Sequence, residues 1–164
     1  MNLKLLALVP GFVEVNRLMH DFEGTPGLSF ATRDEEADLR ANAEVLWEGR
    51  SLRVTLCEPD EAEVTAVMSD GQLLLIAEHA VIAWKSGGSV SRIVTCCMPV
   101  TDVRLSEDLK LVAVLAEIDL YVVDVAKSEV VLEKNLSDVS WILSFGTRDL
   151  KLQLFDGSEL SITV

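Results

Sequence analysis

The chain has 164 residues, of which 49% are hydrophobic and 25% are charged. This length suits one globular domain over residues 1–164, which buries about 70% of the surface that its unfolded chain exposes. The 27 acidic residues outnumber the 14 basic residues, so the formal net charge is −13 and the pI is near 4.4. This charge repels nucleic acid and anionic membranes, which excludes both as partners. It speeds encounter with a basic partner. The alternative is that the charge serves solubility alone.

The apolar run near the N-terminus does not have the pattern of a secretory signal. Residues 3–9 are mostly apolar, but Pro10 ends the run. Glu14 and Arg17 follow where such a signal requires small residues at its cleavage site. No window approaches the roughly 18 apolar residues of a membrane span. We therefore expect a buried strand at residues 3–9 and a soluble protein.

The remainder of the N-terminal part, residues 1–44, is irregular in pattern. Residues 11–15 predict a strand and residues 16–22 a single helical turn. Residues 32–44 open with the Thr-x-x-Glu pattern of a helix capping box. This segment predicts either a short helix or an acidic loop, because its apolar stripe is narrow.

From residue 45 to residue 164 the sequence predicts a regular succession of short strands. Links of mostly two to six residues favour antiparallel neighbours, since a parallel crossover needs about a dozen residues or more. The fold class is therefore an all-β antiparallel meander, with more than about 40% strand and less than about 15% helix. The predicted strands are residues 45–47, 52–57, 63–68, 72–77, 80–84, 91–97, 102–105, 110–115, 120–123, 130–133, 140–145, 151–155 and 159–163.

The meander repeats with a period of about 40 residues. Ser69, Ser106 and Ser144 are expected to open turns, and they lie 37 and 38 residues apart. Residues 53–59 match residues 93–99 at an offset of 40, with Thr, Cys and Pro in equivalent places. A strand with a tryptophan precedes each of these two segments.

A repeat of this length, with a Ser-Asp-Gly turn followed by apolar strands, resembles the units of WD-type β-propellers. The resemblance covers about residues 43–164, and the Gly-His and Trp-Asp dipeptides of that family are absent. It implies a propeller-like arrangement of the repeats. An open, bent meander or a two-layer sandwich is the alternative arrangement of the same strands.

No motif for catalysis or cofactor binding is present. Only two histidines occur, His20 and His79, and no Gly-x-Ser-x-Gly nucleophile elbow accompanies them. His79 is expected to lie in a turn. Residues 86–89 form a hairpin loop and not a phosphate loop, because no lysine and no helix follow the glycines. The sequence therefore predicts a protein that is not an enzyme and that holds no cofactor and no metal.

The three cysteines do not form a disulfide framework. Their number is odd, and Cys96 and Cys97 are adjacent, so their side chains point to opposite faces of a strand. Together with Cys57 they are expected to be reduced and mostly buried, as in the cytoplasm. The three tryptophans indicate core or edge packing and not a ligand cage: Trp47, Trp84 and Trp141.

Two acidic clusters flank predicted loops and are the predicted partner-binding residues. They are Asp34, Glu35, Glu36 and Asp38 in the first cluster, and Asp60, Glu61 and Glu63 in the second. Loops protrude from a fold, so a basic partner can reach these charges, although a solvated surface has the same composition.

Two functions fit these features. Size and charge are similar to those of the immunity proteins of bacterial toxin systems. This likeness implies a small acidic module that binds and neutralises a basic protein partner such as a toxin. The alternative is a propeller-type scaffold or a subunit of a larger protein assembly, since an open meander leaves strand edges that another chain can cover. The sequence does not determine the oligomeric state.

Overall fold

A computed structural model describes residues 13–18, 28–31, 41–47, 49–56, 64–69 and 71–164. Within these ranges the fold is all-β, and its strands hold more than half of the 164 residues. The predicted fold class and the predicted strand content are thus confirmed. No helix of the described residues is long and apolar enough to cross a membrane. The chain divides into two compact units, residues 1–95 and residues 96–164.

The described strands of the first unit form two four-stranded sheets. Their strands are β1 (Val13–Leu18), β2 (Leu28–Ala31), β3 (Ala41–Trp47), β4 (Arg50–Leu56), β5 (Val64–Ser69), β6 (Gln72–Ala77), β7 (Ala80–Lys85) and β8 (Val90–Thr95). One sheet has the order β1-β3-β4-β2, with β2 parallel to β4 and the other pairs antiparallel. The other sheet has the sequential antiparallel order β5-β6-β7-β8.

The core of the first unit explains its longest apolar runs. Every residue of β6 is buried, and so is every residue of β7 up to Trp84. A strand that is covered on both faces needs apolar residues at every position, which is why Leu73–Ile76 does not alternate with polar residues. Trp84 is fully buried and meets Trp47 of the first sheet edge to face, with ring centroids 5.3 Å apart. The two sheets of this unit therefore share one core.

The second unit contains a four-stranded sheet and a three-stranded sheet, both sequential and antiparallel. The first is built from β9 (Asp102–Leu105), β10 (Leu111–Ala116), β11 (Asp119–Asp124) and β12 (Glu129–Asn135), and the second from β13 (Ser140–Phe145), β14 (Asp149–Leu154) and β15 (Glu159–Thr163). β10 and β11 are almost fully buried, whereas β14 alternates between exposed and buried residues. The smaller sheet thus has one face on the core and one face in solvent.

Side chains of β9 hold β13 in place within the second unit. The Asp102 carboxylate accepts a hydrogen bond of 3.1 Å from the Ile142 N–H, and the Arg104 guanidinium donates one of 3.4 Å to the Ile142 carbonyl. Ile142 is itself buried in the core that both sheets share, together with Leu120 and Leu152. These contacts set the position of the three-stranded sheet, which carries the site described below.

The 40-residue period corresponds to one sheet per repeat. The first strands of the last three sheets begin at Val64, Asp102 and Ser140, so their starts are 38 residues apart. Ser69 ends β5 opposite Gln72 and flanks the predicted turn, and Ser106 opens the turn before β10. The repeat that the sequence predicts from residue 45 onward is therefore present as sequential antiparallel pairing.

Some predictions for individual segments are wrong. The helical turn expected at residues 16–22 is not formed at residues 16–18, which continue β1 because they pair with β3. Residues 41–44, placed in a helix or loop by the sequence, belong to β3 for the same reason. Ser144 does not open a turn, because it pairs with Lys151 inside β13, which runs to residue 145. The expected strand at residues 3–9 lies outside the described residues.

The turn between β9 and β10 is closed by the side chain of Ser106. Its hydroxyl donates to the Asp108 carboxylate at 2.8 Å and accepts from the Leu111 N–H at 3.0 Å. The hydrogen bond from Ser106, with lesser contributions from Lys110, holds the pKa of Asp108 below its ordinary value. Ser106 is buried, and both bonds of its hydroxyl go to groups within the same turn and the start of β10.

Two serine-to-alanine substitutions in this unit are expected to differ in their effect on stability. Ser106→Ala removes the two bonds of the hydroxyl and should lower the free energy of unfolding by about 1 to 2 kcal/mol. Ser140 is also buried, but its Oγ has no hydrogen-bond partner among the described residues. Ser140→Ala therefore removes an unsatisfied polar group and should leave stability equal or raise it by up to about 1 kcal/mol. Urea unfolding of both variants measures this, and equal losses would contradict it.

Candidate protein interface

The structure leaves the predicted partner-binding residues untested. All seven lie outside the described residues: Asp34, Glu35, Glu36, Asp38, Asp60, Glu61 and Glu63. His79 lies in the two-residue turn between β6 and β7, as expected, and is buried. Residues 86–89 form the predicted hairpin loop, where the Lys85 N–H donates to the Ser89 carbonyl at 2.9 Å. None of these described features forms an open site.

The cysteine predictions are partly confirmed. Cys96 is buried and Cys97 is exposed, so the two adjacent side chains do point in opposite directions, but the expectation that most thiols are buried is wrong for Cys97. The physical reason is that the pair follows the end of β8 at Thr95, where only one of the two side chains faces the core. Cys57 lies outside the described residues.

The most conspicuous surface of the second unit is an apolar one on the three-stranded sheet. Its four members are large hydrophobic residues that are 40% to 74% exposed. They are Val139, Trp141, Leu143 and Phe155, and together they are named the aromatic face. Phe155 is the most exposed of them, at 74%, and Trp141 follows at 47%. Large apolar groups that stay in solvent together mark an interaction surface more often than scattered single residues do.

The strand register brings the two aromatic rings together. Trp141 lies directly opposite Gln153, and the Phe155 N–H donates to the Val139 carbonyl, so Phe155 is the diagonal neighbour of Trp141 on the same face. The rings stack with centroids 6.4 Å apart and an angle of 29° between their planes. Ser140 and Ile142 alternate with Trp141 and point to the core. The bulge then turns Leu143 to the exposed side as well.

Acidic residues adjoin the aromatic face in sequence and in strand register. Asp138 precedes Val139 and accepts its N–H at 2.8 Å, and Asp156 follows Phe155. Glu159 lies on the same exposed face, opposite Gln153, and completes the cross-strand row from Trp141 through Gln153 to Glu159. Residues 96–164 carry 12 acidic and 6 basic residues in all. The field at this surface is therefore negative on balance, although Lys151 also lies on the exposed face.

The Asp156 carboxylate is kept ionised by its turn. The Ser158 hydroxyl donates to it at 2.6 Å, and the Ser158 N–H donates to the same oxygen at 2.8 Å. These two bonds hold the pKa of Asp156 below its ordinary value. Gly157 takes a positive φ of 86° in this turn, a conformation that glycine adopts without strain. The turn thus holds a negative charge at the residue that follows Phe155.

This arrangement suits a cationic side chain of a protein partner. An aromatic face attracts a guanidinium or ammonium group through its quadrupole, and nearby carboxylates strengthen that attraction. Aromatic anchors with a charged rim are also typical of protein interfaces. The described residues contain no group of three or more acidic, histidine or cysteine side chains placed to hold a metal ion.

The sequence predicts core or edge packing for the three tryptophans, and Trp141 lies on β13, an edge strand of its sheet. Trp47 and Trp84 are core residues, as expected, whereas Trp141 is on the solvent face of an outer strand. Residues 141–143 are all apolar, so the alternation of polar and apolar residues along the strand does not show which of them is exposed. The phenylalanine placed directly before an Asp-Gly turn was the available hint, since turns lie at the surface.

Comparisons with known proteins support the fold and not a function. No protein-family model and no curated protein matches the sequence. The structure is similar to that of the computationally designed Ika4 protein, with a TM-score of 0.51 and 15% identity over 87% of this chain and 94% of that chain. Apo AztD from Citrobacter koseri is similar with a TM-score of 0.47 and 12% identity, over 84% of this chain and 44% of that one. At such identity the likeness to Ika4 concerns the fold alone.

Proposed function

We propose that this protein is a protein-binding module that holds a basic partner on the aromatic face. The observation that carries the proposal is the exposed Trp141–Phe155 stack. Asp138, Asp156 and Glu159 adjoin this face in sequence or in strand register. Aromatic rings supply contact area with few rotatable bonds, and the carboxylates favour a basic partner over an acidic one. The net charge of −13 adds long-range attraction for a basic partner.

In this proposal the module acts as an immunity or inhibitor protein in the cytoplasm. Occupation of a basic active surface by an acidic protein blocks access of an anionic substrate, which is sufficient to neutralise a nucleic-acid-cleaving toxin. No catalytic step by this chain is needed. The predicted acidic clusters at residues 34–38 and 60–63 would add to the same electrostatic attraction.

A scaffold or assembly subunit is the second candidate function. The observation that favours it is the division of the chain into small sequential sheets of one repeat each, which is typical of proteins that present surfaces to other chains. The two candidate functions differ in what happens to the partner on binding. A neutralised partner loses its own activity on binding, whereas an assembly partner keeps it.

The test is affinity capture of the partner followed by binding measurements with matched variants. Trp141→Ser should weaken binding of the captured protein at least about tenfold, because buried aromatic anchors carry most of the energy of an interface. Val131→Ser is the control, since Val131 lies on β12 of the same unit and is 46% exposed against 47% for Trp141. Both side chains are exposed, so neither variant should unfold the protein.

A charge variant completes this experiment. Glu159→Gln should slow association and reduce its salt dependence, while Glu129→Gln on β12 should change both less. A captured protein that is acidic, or whose binding responds equally to Trp141→Ser and Val131→Ser, would refute the proposed site.

A further inference from the structure

Among the described residues, the three-stranded sheet ends at an unpaired edge strand. β15 pairs with β14, and no other strand of the described residues is its neighbour. The other three sheets each have four strands. An edge strand presents unpaired N–H and C=O groups, which are a template for a further strand.

The hydrogen-bond pattern identifies the groups at this edge. The Leu154 N–H donates to the Ser158 carbonyl, and the Val164 N–H donates to the Arg148 carbonyl. In an antiparallel pair the bonded positions alternate, so Leu160 and Ile162 bond to β14 as well. The N–H and C=O groups of the intervening residues point away from the sheet. These residues are Glu159, Ser161 and Thr163.

The edge lacks the features that usually block strand addition. Residues 159–164 contain no lysine, no proline and no bulge, and isoleucine, threonine and valine have high strand propensity. Glu159 is the one charged residue of the six. Its side chain is on the solvent face, as are those of Ser161 and Thr163, while Ile162 is buried. The next strand would therefore need polar residues on one face and apolar residues on the other.

We propose that β15 receives an extended segment of the basic partner as a fourth, antiparallel strand. This inference rests on the proposed function and adds the mode of binding. The partner segment alternates basic and apolar residues. Its basic side chains lie on the face of Glu159, and its apolar side chains lie beside Leu160 and Ile162. The row from Trp141 through Gln153 to Glu159 ends at this edge. A lysine or arginine of the added strand would lie opposite Glu159 and extend that row.

The charge pattern favours this occupant over a second copy of the chain. Two β15 strands paired antiparallel about Ser161 would place Thr163 opposite Glu159, so the carboxylate would gain no cation. Each copy would also bring a net charge of −13. A basic strand removes both disadvantages, because it neutralises Glu159 and is attracted by the acidic unit.

The test uses the synthetic peptide acetyl-Val-Lys-Val-Lys-Val-Lys-Val-amide as the probe, with binding measured by calorimetry and fluorescence anisotropy. In the proposed register the lysine N–H groups point to β15 and the valine N–H groups point to solvent. N-methylation of the lysines should weaken binding at least about tenfold, because each methyl removes a hydrogen bond to the edge. N-methylation of the two inner valines keeps the charge and adds one methyl group fewer than methylation of the three lysines, and it should have little effect.

Substitutions in the protein provide the reciprocal test. Ser161→Pro removes the outward N–H without removing a donor to β14, and proline is tolerated in such a place on an edge strand. It should weaken peptide binding, whereas Ser161→Thr, which keeps the N–H, should not. Circular dichroism of both variants checks the fold, and if Ser161→Pro fails to fold, the two methylated peptides still decide the question with the unaltered protein.

The outcomes separate this inference from the proposed function. The lysine peptide could bind in a way that Trp141→Ser abolishes but that Ser161→Pro and lysine N-methylation do not change. This result would overturn strand addition and leave the aromatic face as the binding site. No saturable binding of the peptide also overturns it. A dimer in light scattering that Ser161→Pro dissociates would show that a second copy occupies the edge, which contradicts the basic strand.

Discussion

Replacing Trp84 with alanine is expected to lower the free energy of unfolding by about 3 to 5 kcal/mol. Trp84 is fully buried in the core that joins the two sheets of the first unit, and its ring meets that of Trp47 edge to face. Alanine would leave a cavity lined by residues of both sheets, and tightly packed cores relax only partly around such a cavity. Urea unfolding followed by far-ultraviolet circular dichroism measures the loss.

Trp84→Phe is the matched control for this prediction. The indole nitrogens of Trp84 and Trp47 are buried and have no hydrogen-bond partner among the described residues. Phenylalanine therefore removes no hydrogen bond and keeps an aromatic ring for the contact with Trp47. Its loss of stability should be well below that of Trp84→Ala. Equal losses for the two variants would show that the indole N–H, and not the packed ring, is what the core requires.

Cys96 and Cys97 are expected to differ greatly in their rate of alkylation. Burial, with smaller contributions from Asp119 and Cys97, raises the pKa of the Cys96 thiol from 9.0 to about 12. This shift alone lowers the reactive thiolate fraction at pH 8 by about a thousandfold, and burial also hinders access of the reagent. Cys97 is exposed, so iodoacetamide should label it first.

Two double variants isolate the thiols for this measurement. Cys57→Ser with Cys97→Ser leaves only Cys96, and Cys57→Ser with Cys96→Ser leaves only Cys97. Mass spectrometry of timed samples gives the two rates, and unfolding in urea should remove most of the difference between them. Similar rates in the folded protein would contradict the burial of Cys96.

The burial of Cys96 and of Tyr121 predicts how stability changes at alkaline pH. Burial raises the pKa of Tyr121 from 10.0 to about 12, as it raises that of Cys96. A pKa that is raised on folding gives stability that is fully present below the unfolded pKa and is lost as the pH rises through the folded one. Stability should therefore decline between about pH 9 and pH 12. Cys96→Ala should show a smaller decline over this window than the unaltered chain.

Much of the strand pattern followed from local chemistry. The boundaries of β6, β9, β13 and β15 agree with the sequence-based prediction, since short apolar segments between turn residues have few other stable conformations. The period of about 40 residues was visible from Ser69 and Ser106, which flank turns at equivalent places of their repeats. Sequence sufficed where one residue type, such as the buried Ser106, closes a turn by bonding to its own neighbours.

Pairing between distant segments was beyond local patterns. β1 lies against β3 and β2 lies parallel to β4, and these contacts turn residues that read as helix or loop into strand. The same limit applies to the candidate interface: the seven acidic residues chosen from the sequence lie outside the described residues, while the aromatic face was not foreseen. Strand pairing brings Trp141 and Phe155 together across 14 positions of sequence.

The sequence by itself determined an acidic all-β chain of repeated antiparallel strands, because composition sets the charge and local alternation sets the strands. Only the tertiary structure decided which apolar residues face the core. β13 contains three consecutive apolar residues but buries only the middle one, Ile142. The Ile142 N–H donates to Asp102 and the Ile142 carbonyl accepts from Arg104, which fixes Ile142 against β9. With the bulge that follows, these bonds leave Trp141 and Leu143 in solvent. Exposure of the candidate site is thus set by contacts between strands that are about 40 residues apart in the chain.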